Sequence, residues 1–464
     1  MRKPAGQTGT KLAARVAREL STIRARVAGI DIGSRQMYVC GPVEQDGKRE
    51  VQNYETTTEG VRTCAQWLKQ KQVESVAMES TGVYWIPVLE ILEAEGLETL
   101  LVDTKPLSRV PGRKTDVIDC EWIQTLHSHG LLQGCFRPSE EIGMLRNLAR
   151  QKAVLVAEQA DWVRRMHKCL DQMNVRVHHA VSDTQGTTGM AIIRAIVKGE
   201  RDPRKLAAFR DAHCQKSEQQ IAALLSGHWR GDHLFNLEQA LKLYDSLGER
   251  LSEYERQIQE QMKRLTPPEN EGRVAPAVRN PAKAKAIKRR AQEEKRQRLY
   301  RLAGTDLTAI DGINVETVEV LLSEYGTDLG KFESENQFAA HLQLVPRKPV
   351  SGGKPLKKRA RKTKGTRTGQ ALRMAAVTLS RSKSALGAYF RRMARTKDGA
   401  VAVFATARKL ALLIYRMLRW GREYEDIGQQ AYENQYQAAR LRSLAATAAQ
   451  FGYEIAKKNE AVIA

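Results

Sequence analysis

Four acidic residues stand at positions where their side chains could act together on a phosphate: Asp31, Glu79, Asp116 and Asp119. Asp31 falls inside a short apolar run and Glu79 at the end of another. Asp116 and Asp119 are three apart in a segment of helical periodicity, so they share one helix face. Carboxylates gathered at one point repel and shift one another's proton affinity unless divalent cations lie between them. Mg²⁺, with Mn²⁺ as the alternative, suits such all-oxygen ligands and bridges readily to phosphate oxygens. The chemistry expected of the set is metal-assisted phosphoryl transfer.

A second group surrounds Ser351 in Leu344-Val-Pro-Arg-Lys-Pro-Val-Ser-Gly-Gly-Lys354. Flanking glycines let a phosphate approach the backbone, and neighbouring cations could neutralise charge developing on a phosphoryl group under attack. Taken alone, the same serine reads more readily as a residue capping its own backbone in a tight turn. The spacing is not that of a phosphate-binding P-loop.

The chain carries 76 Lys+Arg against 53 Asp+Glu, a formal charge of +23, and the excess is concentrated in two tracts. Arg273–Arg298 holds ten cations and two acids, and Arg347–Arg367 holds ten cations and no acid. Such density points to a polyanion, because phosphate contacts release condensed counterions. Arg347, Lys348 and Lys354, followed by Lys357, Lys358, Arg359 and Arg361, are the candidate nucleic-acid contacts around Ser351. Six scattered cysteines form no C-x-x-C pair, which argues against a disulfide framework or a zinc site and for buried reduced thiols. No run of apolar residues is long enough to span a bilayer, and Met1 to Arg26 lacks the apolar block of a secretory signal. A cytoplasmic, nucleoid-associated protein is expected, with no membrane partner.

The elements that must position these residues read as follows. Arg26–Gly33, Gln36–Gly41, Glu74–Glu79 and Glu98–Asp103 have the composition of strands, with a helix over about Val83–Gly96 and another starting near Thr115. This is an α/β domain with a mixed sheet. Glu140–Met173 and Phe235–Leu265 carry long helical periods, expected to form an antiparallel coiled-coil arm. The basic segment after Pro267 reads as a linker or an arm that orders on nucleic acid. Leu307–Leu322 resembles a helix-hairpin-helix unit, with Asn314 where a second turn glycine is usual. The expected division is a leader (1–25), an α/β domain (26–139), the arm (140–265), a linker (266–298), a mostly helical domain (299–430) and a helical tail (431–464). Histidines such as His127, His129, His178 and His179 read as surface or packing residues. Trp85, Trp122 and Trp162 read as core, and Glu121 as a solvent-exposed neighbour of Asp119.

Ala28-Gly-Ile-Asp-Ile-Gly33, Met78-Glu-Ser-Thr-Gly-Val-Tyr-Trp85 and Lys114-Thr-Asp-Val-Ile-Asp119 together resemble the N-terminal domain of the acidic-tetrad (DEDD) insertion-sequence transposases. Ala309-Ile-Asp-Gly-Ile313, the Ser351 loop, Leu372-Arg-Met-Ala-Ala376 and Ser384–Met393 resemble the C-terminal domain of the same family. The resemblance implies a RuvC-like ribonuclease-H fold carrying Asp31, Glu79, Asp116 and Asp119 as metal ligands, and a helical domain whose Ser351 is the nucleophile. It further implies a composite site formed in a dimer or tetramer, donor and target DNA as substrates, and a structured guide RNA that supplies sequence choice by base pairing. Two rival readings stand beside it: a hydrolytic nuclease of the Holliday-junction resolvase type with a structural serine, and a non-catalytic nucleic-acid scaffold.

Overall fold

The computed structural model describes residues 21–44, 46–80, 82–103, 115–289, 292–345, 350–351, 354–355 and 365–456. The chain separates into two compact units, Met1–Arg137 and Pro138–Ala464.

The first unit is built on a five-stranded sheet. β1 (Val27–Ile32), β2 (Gln36–Val43) and β3 (Arg49–Glu55) form an antiparallel meander, followed by helix α1 (Thr58–Gln70). β4 (Ser75–Glu79), α2 (Trp85–Ala94) and β5 (Glu98–Val102) then extend the sheet on the other side of β1, parallel to it, giving the order β3-β2-β1-β4-β5. α1 starts where Thr57 accepts from the Gly60 amide, and its Val61, Cys64, Ala65 and Leu68 face the sheet. They meet Ala28 and Ile30 of β1, Met37 and Val39 of β2, and Leu89 and Leu92 of α2 in one dry core. α3 (Asp116–Ser128) carries two of the four candidate acids, Asp116 and Asp119, and its Cys120 and Ile123 are buried.

Burial explains the thiols: desolvation pushes Cys40 and Cys64 up to about 12, so they behave as small apolar side chains. His127, expected at the surface or in packing, is buried and lies 3.0 Å from the Ser75 hydroxyl. Desolvation pushes it down to about 4, with Arg24 adding to the effect and Glu98 opposing it.

The second unit is helical. α4 (Glu140–Gln172) is followed by four shorter helices, α5 (Val177–Ala180), α6 (Thr187–Val197), α7 (Pro203–Ala207) and α8 (Glu218–Leu225), and then by α9 (Gly231–Leu265). α4 and α9 lie antiparallel: Gln261 donates to the Glu141 carbonyl at 3.3 Å and Gln159 to the Tyr244 carbonyl at 3.2 Å. At one end, Val163, Met166 and Leu170 pack with Leu237 and Leu241 against Ile192, Ile193 and Ile196 of α6. Gly248 does not interrupt α9.

The basic segment, expected to be a linker or an arm that orders on nucleic acid, is helical over Pro281–Arg289 and again from Glu293. α10 (Pro281–Arg289) and α11 (Glu293–Ala303) dock on the following hairpin. Lys283 donates to the Thr308 carbonyl and, at 2.9 Å, to the Ile310 carbonyl, while Arg296 is buried between Asp306 and Thr308. Composition alone hid this, because several of the groups that satisfy Lys283 and Arg296 come from outside the segment, although Arg296 also pairs with Glu293 at 3.0 Å.

α12 (Val315–Tyr325) and α13 (Glu335–His341) precede the two-residue strands β6 (Val350–Ser351) and β7 (Lys354–Pro355). α14 (Arg367–Thr378), α15 (Ala385–Thr396) and α16 (Gly399–Trp420) complete the core, and α17 (Gly428–Gln450), the expected tail helix, buries no residue. Glu324 of α12 holds this unit to α4: it takes the Arg150 guanidinium through contacts of 2.9 and 2.7 Å and also faces Arg146 and Arg367.

His127 sets the acid response of the first unit. Its folded proton affinity lies below that of an unfolded histidine, so the unfolded chain binds more protons between about pH 4 and pH 6.5. Stability is therefore full above pH 6.5 and falls as the pH drops toward 4, by up to about 3 kcal/mol. Urea midpoints across this range should show the slope, and His127→Gln should flatten it.

Candidate active site

β1 reads Val-Ala-Gly-Ile-Asp-Ile; its first four residues are buried, while Asp31 is half-buried. On β4 the first four residues are likewise buried and Glu79 is half-buried. The two strands run parallel, and their last registered pair is Ile30 with Met78. Asp31 and Glu79 are the next residues on each strand, so they emerge side by side at one end of the sheet.

α3 crosses β1 at Gly29. A Cβ on this glycine would stand 2.3 Å from the Gln124 nitrogen and 2.5 Å from the Cys120 oxygen, so helix backbone rests directly on strand backbone. The helix runs against the strand: Gln124 reaches the Val27 carbonyl at 3.5 Å, and the Cys120 thiol is raised by burial first, then by Cys40 and Glu121, with the Asp31 charge adding to them. The N-terminus of α3 therefore lies at the Asp31 end of β1, carrying Asp116 and Asp119 toward Asp31 and Glu79. Thr115 caps the helix by accepting from the Ile118 amide at 3.3 Å. Both acids sit in its first turn, where the positive end of the helix dipole favours negative charge.

Three elements thus deliver the four predicted acids to one end of the sheet. The convergence is one of backbone positions: among the described residues no three His, Cys, Asp or Glu side chains form a group that could hold a metal ion. Asp116 is exposed, whereas Asp119 is half-buried. The donor set is all carboxylate oxygen, which matches a hard divalent cation. Glu121 is half-buried rather than exposed, and its charge bears on the Cys40 and Cys120 thiols.

In the second unit, Ser351 pairs antiparallel with Lys354. The serine backbone therefore stands opposite that of a lysine. Arg347, Lys348, Lys357, Lys358, Arg359 and Arg361 lie outside the described residues.

The expected helix-hairpin-helix turn is differently employed. Gly312 has φ +84°, and a Cβ there would meet Leu379 Cγ at 2.9 Å and the Ala375 carbonyl at 3.0 Å, so the turn packs on α14. Asn314 caps α12, accepting from the Thr317 amide at 2.8 Å and hydroxyl at 2.7 Å. That role explains an Asn where glycine was anticipated. Sequence reasoning passed over Gly29, whose only signal was a small residue two positions before Asp31.

Two family models match the chain. One, described as a transposase and of the acidic-tetrad IS110 type, covers residues 28–175; the other, described as the transposase IS116/IS110/IS902 family, covers residues 304–391. The four acids fall within the first span and Ser351 within the second. No curated protein matches the chain.

Gly29→Ala should push α3 off β1, costing about 3 kcal/mol. The expected result is faster amide hydrogen exchange in both elements and a lower urea midpoint. Gly143→Ala in α4, where nothing lies within 4 Å of the new methyl, should leave the midpoint unchanged or raise it.

Proposed function

We propose, from the premise that this chain belongs to the IS116/IS110/IS902 transposase family, that it cuts and rejoins DNA through a serine-linked intermediate beside a metal-binding acidic tetrad. As a transposase of an insertion element it acts on DNA; the finer chemistry is our reading. What supports it is that the ends of β1 and β4 and the first turn of α3, which carry Asp31, Glu79, Asp116 and Asp119, lie at one end of the sheet.

Asp31, Glu79, Asp116 and Asp119 would hold Mg²⁺ or Mn²⁺. When bound, the cation supplies charge neutralisation for a phosphoryl group under attack. The protein's own part is nucleophile and cradle. Ser351 Oγ attacks a DNA phosphodiester: an Oγ–P bond forms, the P–O bond to one strand end breaks, the serine loses a proton and the departing oxygen gains one. Attack by another strand's hydroxyl reverses these changes and frees the serine. The phosphodiester energy is conserved in the ester, so no nucleotide hydrolysis is required.

Lys354, opposite Ser351 in the hairpin, belongs with Arg347, Lys348, Lys357, Lys358, Arg359 and Arg361 in a phosphate-binding surface. Tetrad and serine belong to a composite site completed between subunits of a dimer or tetramer. The α4–α9 pair is the arm, read as a coiled coil, that spaces those subunits. A structured guide RNA that pairs with donor and target DNA is in keeping with the formal charge of +23, since the protein then needs to hold backbones more than bases. The first unit's β3-β2-β1-β4-β5 order is compatible with a RuvC-like domain. No described helix is long and apolar enough to cross a membrane, in keeping with action at the nucleoid in the cytoplasm.

Denaturing gels with labelled element-end DNA test the reading. Wild type and Ser380→Ala should trap a covalent protein–DNA adduct, Ser351→Ala none, and Asp31→Asn or Glu79→Gln should lower adduct yield by about a hundredfold or more. Chelation should abolish the adduct and Mg²⁺ restore it. Full cleavage by Ser351→Ala would instead identify a hydrolytic nuclease, and activity untouched by Asp31→Asn would remove the metal role.

A further inference from the structure

The helices that follow the Ser351 hairpin carry cations with almost no acids. From Asn336 to Lys397 the sequence holds no Asp or Glu, and α16 holds none either. Arg416 of α16 is matched by a carboxylate from α13, Glu335, at 2.6 and 2.8 Å. Arg391 and Arg392 of α15 and Lys409 of α16 are treated differently: none of the three forms an ion pair with another described residue.

Their partners are neutral, and three of them come from α17. The Arg392 guanidinium carbon lies 4.2 Å from the Tyr436 ring centre, 5.2 Å from that of Tyr389 and 6.0 Å from that of Tyr432. Its Nε donates to the Tyr432 hydroxyl at 3.0 Å. Lys409 Nζ stands 4.2 Å from the Tyr389 ring centre. Arg391 donates to the Gln429 side-chain oxygen at 2.8 Å and to the Ser382 carbonyl at 2.6 Å. Rings and amides hold these cations in place without cancelling their charge. Lys409 shows the consequence: burial first, and then the Arg392 and Arg416 charges, hold its ammonium below the usual range. α17 itself is lightly fastened. Its Gln429 amide donates to the Lys383 carbonyl at 3.1 Å, but the helix buries no residue, so its release would leave the core intact.

The two rings and one amide oxygen that α17 lends to this face are what a nucleic-acid strand offers as bases and phosphate oxygens, except that the phosphates are charged. The strand must be unpaired, because stacked neighbours cover the base faces of a duplex. We propose that the face around Arg391, Arg392 and Lys409 binds single-stranded nucleic acid, and that α17 occupies it in the free protein as an internal competitor. A base then replaces Tyr432 and Tyr436 against the Arg392 guanidinium, and phosphates replace Gln429 at Arg391 and neutralise Lys409. The inference rests on the nucleic-acid reading above, and DNA and RNA share the chemistry it uses.

The test measures fluorescence anisotropy with the full chain and three probes: a single-stranded DNA of mixed sequence, the RNA of the same sequence, and the DNA as a duplex. Tyr432→Ala combined with Tyr436→Ala should bind one or both single strands about fivefold more tightly than wild type, with a steeper salt dependence. Duplex affinity should change by less than about twofold. A gain confined to DNA or to RNA identifies the strand that occupies the face. Adding Arg392→Ala should remove the gain. In the wild type, a saturating single strand should quicken amide hydrogen exchange in α17, a readout that needs no variant to fold. Unchanged or weaker single-strand binding by the tyrosine variant, an equal gain on duplex, a gain that survives Arg392→Ala, or α17 exchange that does not quicken would overturn the proposal and leave the nucleic-acid reading standing. No binding of any probe by the wild type would overturn both.

Discussion

The contact on which the candidate active site depends is backbone on backbone. At Gly29 the strand that carries Asp31 has no side chain, and α3 settles onto it until the Cys120 carbonyl and Gln124 amide occupy the space a Cβ would need. Interiors are packed too closely for the helix to be shifted without loss elsewhere. The approach therefore fixes how far along β1 the N-terminus of α3 lies. With the β1/β4 register it places the ends of β1 and β4 and the first turn of α3, the segments that carry the four candidate acids, at one end of the sheet.

The gathering of negative charge has a cost, and the fold offsets part of it. Asp31 and Glu79 are placed at strand ends, half-buried rather than sealed in the core. Asp116 and Asp119 lie in the first turn of a capped helix, where the unsatisfied amides and the macrodipole favour anions.

The second unit solves the opposite problem, an excess of cations. Its long helices and core are linked by buried or half-buried acids that each serve several bases: Glu324 with Arg146, Arg150 and Arg367, and Glu319 with Lys152 and Lys295. Such networks specify which helix faces meet and leave the remaining cations for a polyanion. The same arrangement explains why a basic stretch that looks like a flexible linker is folded. Asp306 and the Thr308 and Ile310 carbonyls, supplied by the next hairpin, satisfy Arg296 and Lys283.

Although it passed over β3 and α1, the sequence by itself determined four of the five strands of the first unit, its helices α2 and α3 and the two long helices. These are written in local periodicity, capping residues and residue type, and each needs only its own neighbours. Its short motifs also carried the family. Only the tertiary structure decided that Gly29 is the seat of α3, that Asn314 is a cap, that Gly312 packs on α14, and that Asp311 and Asp426 share Tyr424 across more than a hundred residues. Those facts are long-range: they depend on which surfaces are pressed together, and a periodic pattern says that a face is buried without saying what buries it.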